Sequence, residues 1–323
     1  RAAAALAGRA LLDPEMPEGA RLNLPDWALP ALRARFGERL AAEAAALVAE
    51  APLDLRANLL KTDREAAARL LAGEGIATEP TPFSPWGLRV AQRRPVTGSA
   101  AFRAGLIEVQ DEGSQLIALL ADARPGMRVA DYCAGAAGKT LAMAATMGNR
   151  GRITACDTSA PRLEGAGKRL RRAGVDNAER HLLAPGDRWA KRRAGSFDRV
   201  LVDAPCTGTG TWRRNPDARL RTGPQDLAEL VAVQRHILVR AAELVRPGGR
   251  LVYATCSLLP QENEEQMERF LAEHTRFRPV PLEGLWSALR PGVPAPCAGP
   301  WMALSPAAQG TDGFFCAVLE RGA

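Results

Sequence analysis

The chain has 323 residues and a mass of 34.5 kDa, more than one ordinary domain and about right for two. Hydrophobic residues make up 46% and charged residues 24%, which excludes wholesale disorder, and no run approaches the roughly 18 apolar residues of a membrane helix. The net charge of +7 is focused: residues 160–221 hold fifteen Lys or Arg against seven Asp or Glu, while the other 261 residues sum to −1, a pattern that fits a polyanionic partner or a solvated helix face.

Residues 31–50 are Ala-rich and predict a helix, broken by the Pro-containing stretch 51–55. The first residue is Arg1, so 1–50 is expected to be the helical remainder of a longer N-terminal region. A short strand over 56–60, a helix over 63–73 capped by Thr62 or Asp63, and a strand over 87–91 predict a small α/β domain, with its linker, over 51–105. From 106 to 323 the rhythm changes. Apolar runs at 128–131, 152–156, 198–203 and 250–255 alternate with helical patterns at 138–147, 159–173, 224–245 and 261–273. Such βα repeats predict a parallel sheet covered by helices on both faces. Residues 287–311 read as a long loop and 313–319 as a last strand. Ligands of such sheets bind at the carboxyl ends of the strands, so functional residues are sought there.

Six cysteines stand at 133, 156, 206, 256, 297 and 316, with no CxxC pair, and the three histidines make no ligand spacing with them. Neither a metal site nor a disulfide framework is expected. Reduced thiols and a cytoplasmic location are.

The first apolar run leads into Asp131-Tyr132-Cys133-Ala134-Gly135-Ala136-Ala137-Gly138-Lys139-Thr140. Small residues at a strand-to-helix turn let the backbone approach a ligand closely. A P-loop would need Gly at 133, and a dinucleotide GxGxxG also fails. The second run ends at Asp157, 22 positions beyond Gly135. There it can accept hydrogen bonds from ribose hydroxyls or act as a helix cap. The run over 198–203 ends at Asp203-Ala204-Pro205-Cys206-Thr207-Gly208-Thr209-Gly210, and that over 250–255 at Thr255-Cys256-Ser257. A lone Cys is usually a small core residue. Two at strand mouths beside a nucleotide-like site read better as chemistry.

These blocks resemble the Nop/Sun (RsmB-type) family of RNA cytosine-5 methyltransferases. DYCAGAAGKT is similar to that family's DxCAAPGGKT, and DAPCTGTG (203–210) and TCS (255–257) to its two cysteine motifs. IEVQDEGSQL (107–116), WRRNPD (212–217), TDGFF (311–315) and PLDLRANLLKTDREAAARLLAGEGI (52–76) also match. The resemblance covers about residues 20–320 and implies a Rossmann-like class I methyltransferase sheet of seven mostly parallel strands, the last antiparallel. It implies S-adenosylmethionine as cofactor, no metal, and RNA as substrate, ribosomal RNA ahead of transfer RNA. It makes Cys256 the nucleophile and Cys206 the thiol that assists product release; from the residues alone the two roles are interchangeable. Asp203 would face the cytosine edge and the cofactor. Cys133, Ala134, Gly135, Ala136, Ala137, Gly138, Lys139, Asp157 and Asp187 would hold the cofactor. The turn departs from the family at three places: Gly135 stands for Ala, Ala136 for Pro and Ala137 for Gly.

Cytosine C5 is a poor nucleophile until a thiolate adds to C6, which accounts for a covalent route. The basic segment then acquires a place. Arg213, Arg214, Arg219 and Arg221 follow the Cys206 motif, where phosphates flanking a target base would pass, and Trp212 either stacks on a base or simply packs. A monomer is expected. A P-loop NTPase and a catalytically silent RNA-binding or ribosome-assembly factor are the competing readings; Cys133 argues against the first and the two motif cysteines against the second.

Overall fold

The computed structural model describes residues 16–323. Two sheets organise it. The smaller contains β1 (Asp54–Ala57), β2 (Thr78–Pro80), β3 (Gly87–Val90) and β4 (Ile107–Val109) in the order β2-β3-β1-β4, all neighbours antiparallel. The helix Arg64–Gly73 lays Ala67 and Leu71 on it, against Leu55, Leu88 and Ile107. Asp63 caps that helix by accepting from the Ala66 N–H at 2.6 Å, as the sequence predicts. Because β4 pairs with β1, the small sheet runs past residue 105, where the catalytic part was expected to begin.

The larger sheet contains β5 (Arg128–Asp131), β6 (Arg152–Asp157), β7 (Ala178–Leu182), β8 (Phe197–Asp203), β9 (Val245–Thr255), β10 (Phe277–Pro279), β11 (Met302–Leu304) and β12 (Phe314–Arg321). Its order is β10-β12-β9-β8-β5-β6-β7, with β11 added on β12. The strands from β5 to β9 pair in parallel, and β12 runs antiparallel to β9. This is the expected Rossmann-like sheet with a reversed last strand, but it has eight strands where seven were expected, because β10 and β11 both pair antiparallel with β12. Its interior strands are buried on both faces, so Val200, Leu201, Val202, Leu251, Val252 and Tyr253 are all fully buried and read as unbroken apolar runs.

Several elements differ from expectation; β2, β4, β10 and the helix Leu282–Leu289 were not foreseen. The predicted helix over 31–50 is two helices, Leu29–Phe36 and Leu40–Ala46, separated at Gly37, which takes a positive φ of 53°; residues 1–15 of the expected helical segment 1–50 lie outside the described residues. β7 was not foreseen, because an edge strand with half-exposed and exposed side chains (Ala-Glu-Arg-His-Leu) carries no apolar run. The loop predicted over 287–311 contains β11 and the short helix Pro306–Gln309.

The described N-terminal helices are not an appendage. Leu24, Leu32, Phe36, Leu40 and Leu47 pack against Trp212, Leu258 and Leu259, and so back the loops that follow β8 and β9. The small sheet is tied just as firmly. Asn58 donates to the carbonyls of Gly105 and Ala173, and Lys61 to those of Ala104 and Arg172. Two of these acceptors end the helix Ala160–Ala173, so its orphan carbonyls gain donors and its negative end gains a cation. Glu108 on β4, almost fully buried, accepts from Arg169 and Arg172 of the same helix.

Candidate active site

β8 and β9 lie side by side in parallel, with Asp203 opposite Ala254, so the loops that follow them open at the same end of the sheet. This brings Cys206 Sγ and Cys256 Sγ to 3.4 Å. A third segment completes the arrangement. The Gly210 N–H donates to the Cys256 carbonyl at 3.0 Å, and the Gly313 N–H to the Gly210 carbonyl at 2.9 Å. A Cβ on Gly210 would sit 2.1 Å from the Gly313 oxygen, so only glycine lets these backbones meet. The DAPCTGTG, TCS and TDGFF blocks are thus one unit.

A cavity of about 900 Å³ opens beside the thiols. It is lined by Cys133, Ala134, Gly135, Ala136, Gly138, Lys139, Asp157, Asp187, Asp203, Cys206 and Cys256. Of the predicted cofactor residues only Ala137 is missing from the lining; it lies fully buried at the start of the helix Gly138–Met147. Lys139 Nζ meets Asp203 Oδ2 at 2.6 Å. Burial works against the Lys139 ammonium, but Asp203 outweighs it and raises the pKa. The Asp157 carboxylate accepts from the N–H groups of Gly135 and Ser159, both at 2.8 Å, so it does shape the local turns while lining the cavity. Asp187 accepts from His181 and from the Trp189 N–H, which lower its pKa. Sequence reasoning missed Ser114, Arg162, His236 and Arg240, which also line the cavity; Ser114 lies in the 107–116 block but was given no role, and the other three sit neither in a motif nor at a strand end.

Asp131 ends β5 fully inside the protein. Thr140 Oγ1 donates to its Oδ2 at 2.6 Å, and its Oδ1 has no partner among the described residues. Burial pushes its carboxyl from 3.8 up to about 7. The folded state therefore holds this proton more tightly than the unfolded chain. Asp131's contribution to stability is full below about pH 4 and is lost as the pH rises toward about 7. Asp131→Asn should remove that loss: urea midpoints should diverge in the variant's favour through this window and run parallel above it.

Residues 118–320 match the family model described as 16S rRNA methyltransferase RsmB/F, and residues 24–97 match the ferredoxin-like domain of RsmF/B-like methyltransferases. The chain belongs to the RsmB/F family. It is 35% identical to a probable ribosomal RNA small subunit methyltransferase B of Synechocystis sp., over 97% of this chain and 70% of that one. It is 34% identical to ribosomal RNA small subunit methyltransferase B of Pseudomonas syringae, over 96% of this chain and 68% of that one. A crystal structure of a methyltransferase homologue from Pyrococcus horikoshii superposes with a TM-score of 0.81 at 28% identity, covering 96% of this chain and all of that one.

Within this RsmB/F fold the predicted RNA-contacting group does not line the cavity, and much of it is otherwise employed. Trp212 is 1% exposed and packs under the N-terminal helices, so the packing alternative holds and it offers no face to a base. Arg213, its side chain 5% exposed, and the partly exposed Arg214 both pair with Asp312, and Arg214 also pairs with Asp111. Arg219 donates to the Asn23 carbonyl. Arg221 is highly exposed and, among the described residues, pairs only with the equally exposed Asp217. Sequence distance hides these partners, since Asp111 and Asp312 lie about a hundred residues from the arginines on either side.

The departure at Ala137 has a measurable cost in this RsmB/F member. Its φ is 63° and ψ 27°, the left-handed region that penalises a Cβ. Ala137→Gly should stabilise the protein by about 1 kcal/mol, a rise of roughly 2 °C in Tm, read by calorimetry.

Proposed function

We propose that this chain transfers a methyl group from S-adenosylmethionine to C5 of a cytosine in RNA, with small-subunit ribosomal RNA as its substrate. The observation that carries this reading is the 3.4 Å thiol pair at the mouths of two adjacent parallel strands, opening onto a cavity that also holds Asp131, Asp157 and Asp203.

The lining suits the cofactor by its hydrogen-bonding groups. Four carboxyl side chains, Asp131, Asp157, Asp187 and Asp203, face it together with Lys139, Arg162 and Arg240, and Asp131 Oδ1 is buried without a partner among the described residues. A ligand that carries hydroxyl and amino donors would meet these acceptors. When bound, S-adenosylmethionine supplies a methyl group on a positively charged sulfur. The small-residue turn 133–138 would let it approach the backbone, and Asp157 and Asp187 would face its nucleoside end. Lys139 holds Asp203 beside the thiols, where its free oxygen can meet the base edge.

The chain's own part in the chemistry follows. Cys256, as thiolate, forms a bond from Sγ to C6, and the displaced π pair lets C5 bond to the methyl group, whose former bonding pair would stay with the cofactor's sulfur and leave S-adenosylhomocysteine. The C5 proton then passes to solvent. The Sγ–C6 bond breaks as the C5–C6 double bond re-forms. Cys206 delivers its proton to the departing sulfur and regains one from solvent. Two thiols this close do not ionise together, and the hydrogen bond to Cys256 and burial push Cys206 well up. On this reading Cys206 is the neutral partner. A target base must leave any helix to reach C6.

The test is tritiated methyl transfer from S-adenosylmethionine to total RNA, followed by bisulfite sequencing of the labelled species. Label at one cytosine of small-subunit RNA, protected from bisulfite conversion, is expected. Label in transfer RNA alone would overturn the substrate, label on another atom would overturn the reaction, and no label would overturn both.

A further inference from the structure

Glu262 lies outside every motif so far used, yet it reaches the centre of the site. It is fully buried. Its Oε1 accepts from the Thr207 N–H and from Gln234 Nε2, both at 2.9 Å, and its Oε2 from Thr207 Oγ1 at 2.5 Å. Every donor is neutral, and no ion pair to Glu262 is present among the described residues. Burying an unpaired carboxylate is costly, and a neutral amide could fill the same space. Thr207 directly follows Cys206, so the carboxylate pins that loop. Its hydroxyl also lies 3.4 Å from Ser257 Oγ, next to Cys256. The two cysteine loops are therefore braced by one network with a charge at one end.

We propose that Glu262 is the positioning residue that makes the two thiols unequal: it fixes the Cys206 loop and sets a negative charge on the Cys206 side of the pair, so that the thiolate forms at Cys256. This rests on the two-thiol reading above and deepens it. Lys139, paired with Asp203, lies near enough to Cys256 to interact with it electrostatically. Glu262 in turn adds to the upward push on Cys206. The other titratable groups facing the set are Asp203, held by Lys139, and Cys133 and Tyr253, both raised chiefly by burial. The Tyr253 hydroxyl donates to the Glu262 carbonyl at 2.7 Å, which fixes the carboxylate from behind.

The experiment uses the whole chain and brief exposure to iodoacetamide at neutral pH, with each cysteine followed by peptide mass mapping. In the wild type, Cys256 should be capped about tenfold faster than Cys206, and in Glu262→Gln the ratio should fall to about twofold or less. Thr207→Val removes the hydroxyl but keeps the carboxylate, and should leave the ratio within about twofold of wild type. Cys206 reacting first in the wild type would overturn the proposal, and this result needs no variant to fold. So would a ratio unmoved by Glu262→Gln, or one collapsed equally by Thr207→Val, which would reduce Glu262 to packing. Failure of the underlying reading looks different: Cys256→Ala would still methylate RNA, whatever the alkylation ratio.

Discussion

Cys256→Ala is expected to abolish methyl transfer, lowering kcat by about 10⁴-fold or more, because on the proposed reading it removes the sulfur whose pair activates C5. Cys206→Ala should behave differently. The nucleophile, the cavity and the Lys139–Asp203 pair all remain, so addition and methyl transfer proceed. What is lost is the neutral thiol 3.4 Å from the departing sulfur, and losing a positioned proton donor costs typically about 10²–10⁴-fold. The protein–RNA adduct should therefore accumulate and be visible as a retarded band on a denaturing gel. An adduct retained by Cys256→Ala and lost by Cys206→Ala would exchange the two roles. The structure makes this a fair comparison, because neither side chain is fully enclosed and truncating either leaves no large void.

The second large effect is on stability. Asp312 is 2% exposed and accepts from Arg213 and Arg214, while Asp111 faces the same pair of guanidinium groups. Asp111 also starts the helix Glu112–Leu120 by accepting from the Gly113 N–H. Burial and the neighbouring Asp312 push the Asp111 carboxyl up to about 6. Asp312→Ala would leave Arg213 buried with its main counter-charge gone, and breaking a buried pair in this way costs about 3–5 kcal/mol. A fall in Tm of roughly 10 °C is expected. Because Asp312 precedes Gly313, whose N–H bonds Gly210, the Cys206 loop should loosen as well, and activity should fall before the protein melts. A melting temperature within about 2 °C of wild type would show that the arginines find other partners.

The parts of the candidate site were legible in sequence because they are local. A strand end followed by Asp-Ala-Pro-Cys, and another followed by Cys-Ser, announce themselves within a few residues, and the βα rhythm tells where those ends point. Asp157 could be read both ways, and it serves the local turns while lining the cavity. The basic segment was misjudged for a physical reason. Composition reports that arginines are present but not which carboxylates they meet, and Glu108, Asp111 and Asp312 are remote in sequence from Arg169, Arg172, Arg213 and Arg214. Those four arginines are spent on internal carboxylates, whereas others of the segment, such as Arg171, Lys191 and Arg192, stay exposed. Glu262 escaped notice because Pro-Gln-Glu-Asn at 260–263 reads as an ordinary polar turn. Only the folded chain shows that this turn lies beneath Thr207.

The seam between the two sheets has a consequence for modularity. Asn58 and Lys61 finish the helix Ala160–Ala173, Glu108 answers Arg169 and Arg172, and Arg169 also donates to the Ala136 carbonyl in the cavity turn. A fragment cut at residue 118 would strand all of these groups at once, so the larger sheet is not a portable enzyme to which a recognition unit has been attached. Nor can the smaller one be exchanged between relatives without carrying its half of the seam. Diversification of such a protein is confined to loops and outer faces that the seam does not use.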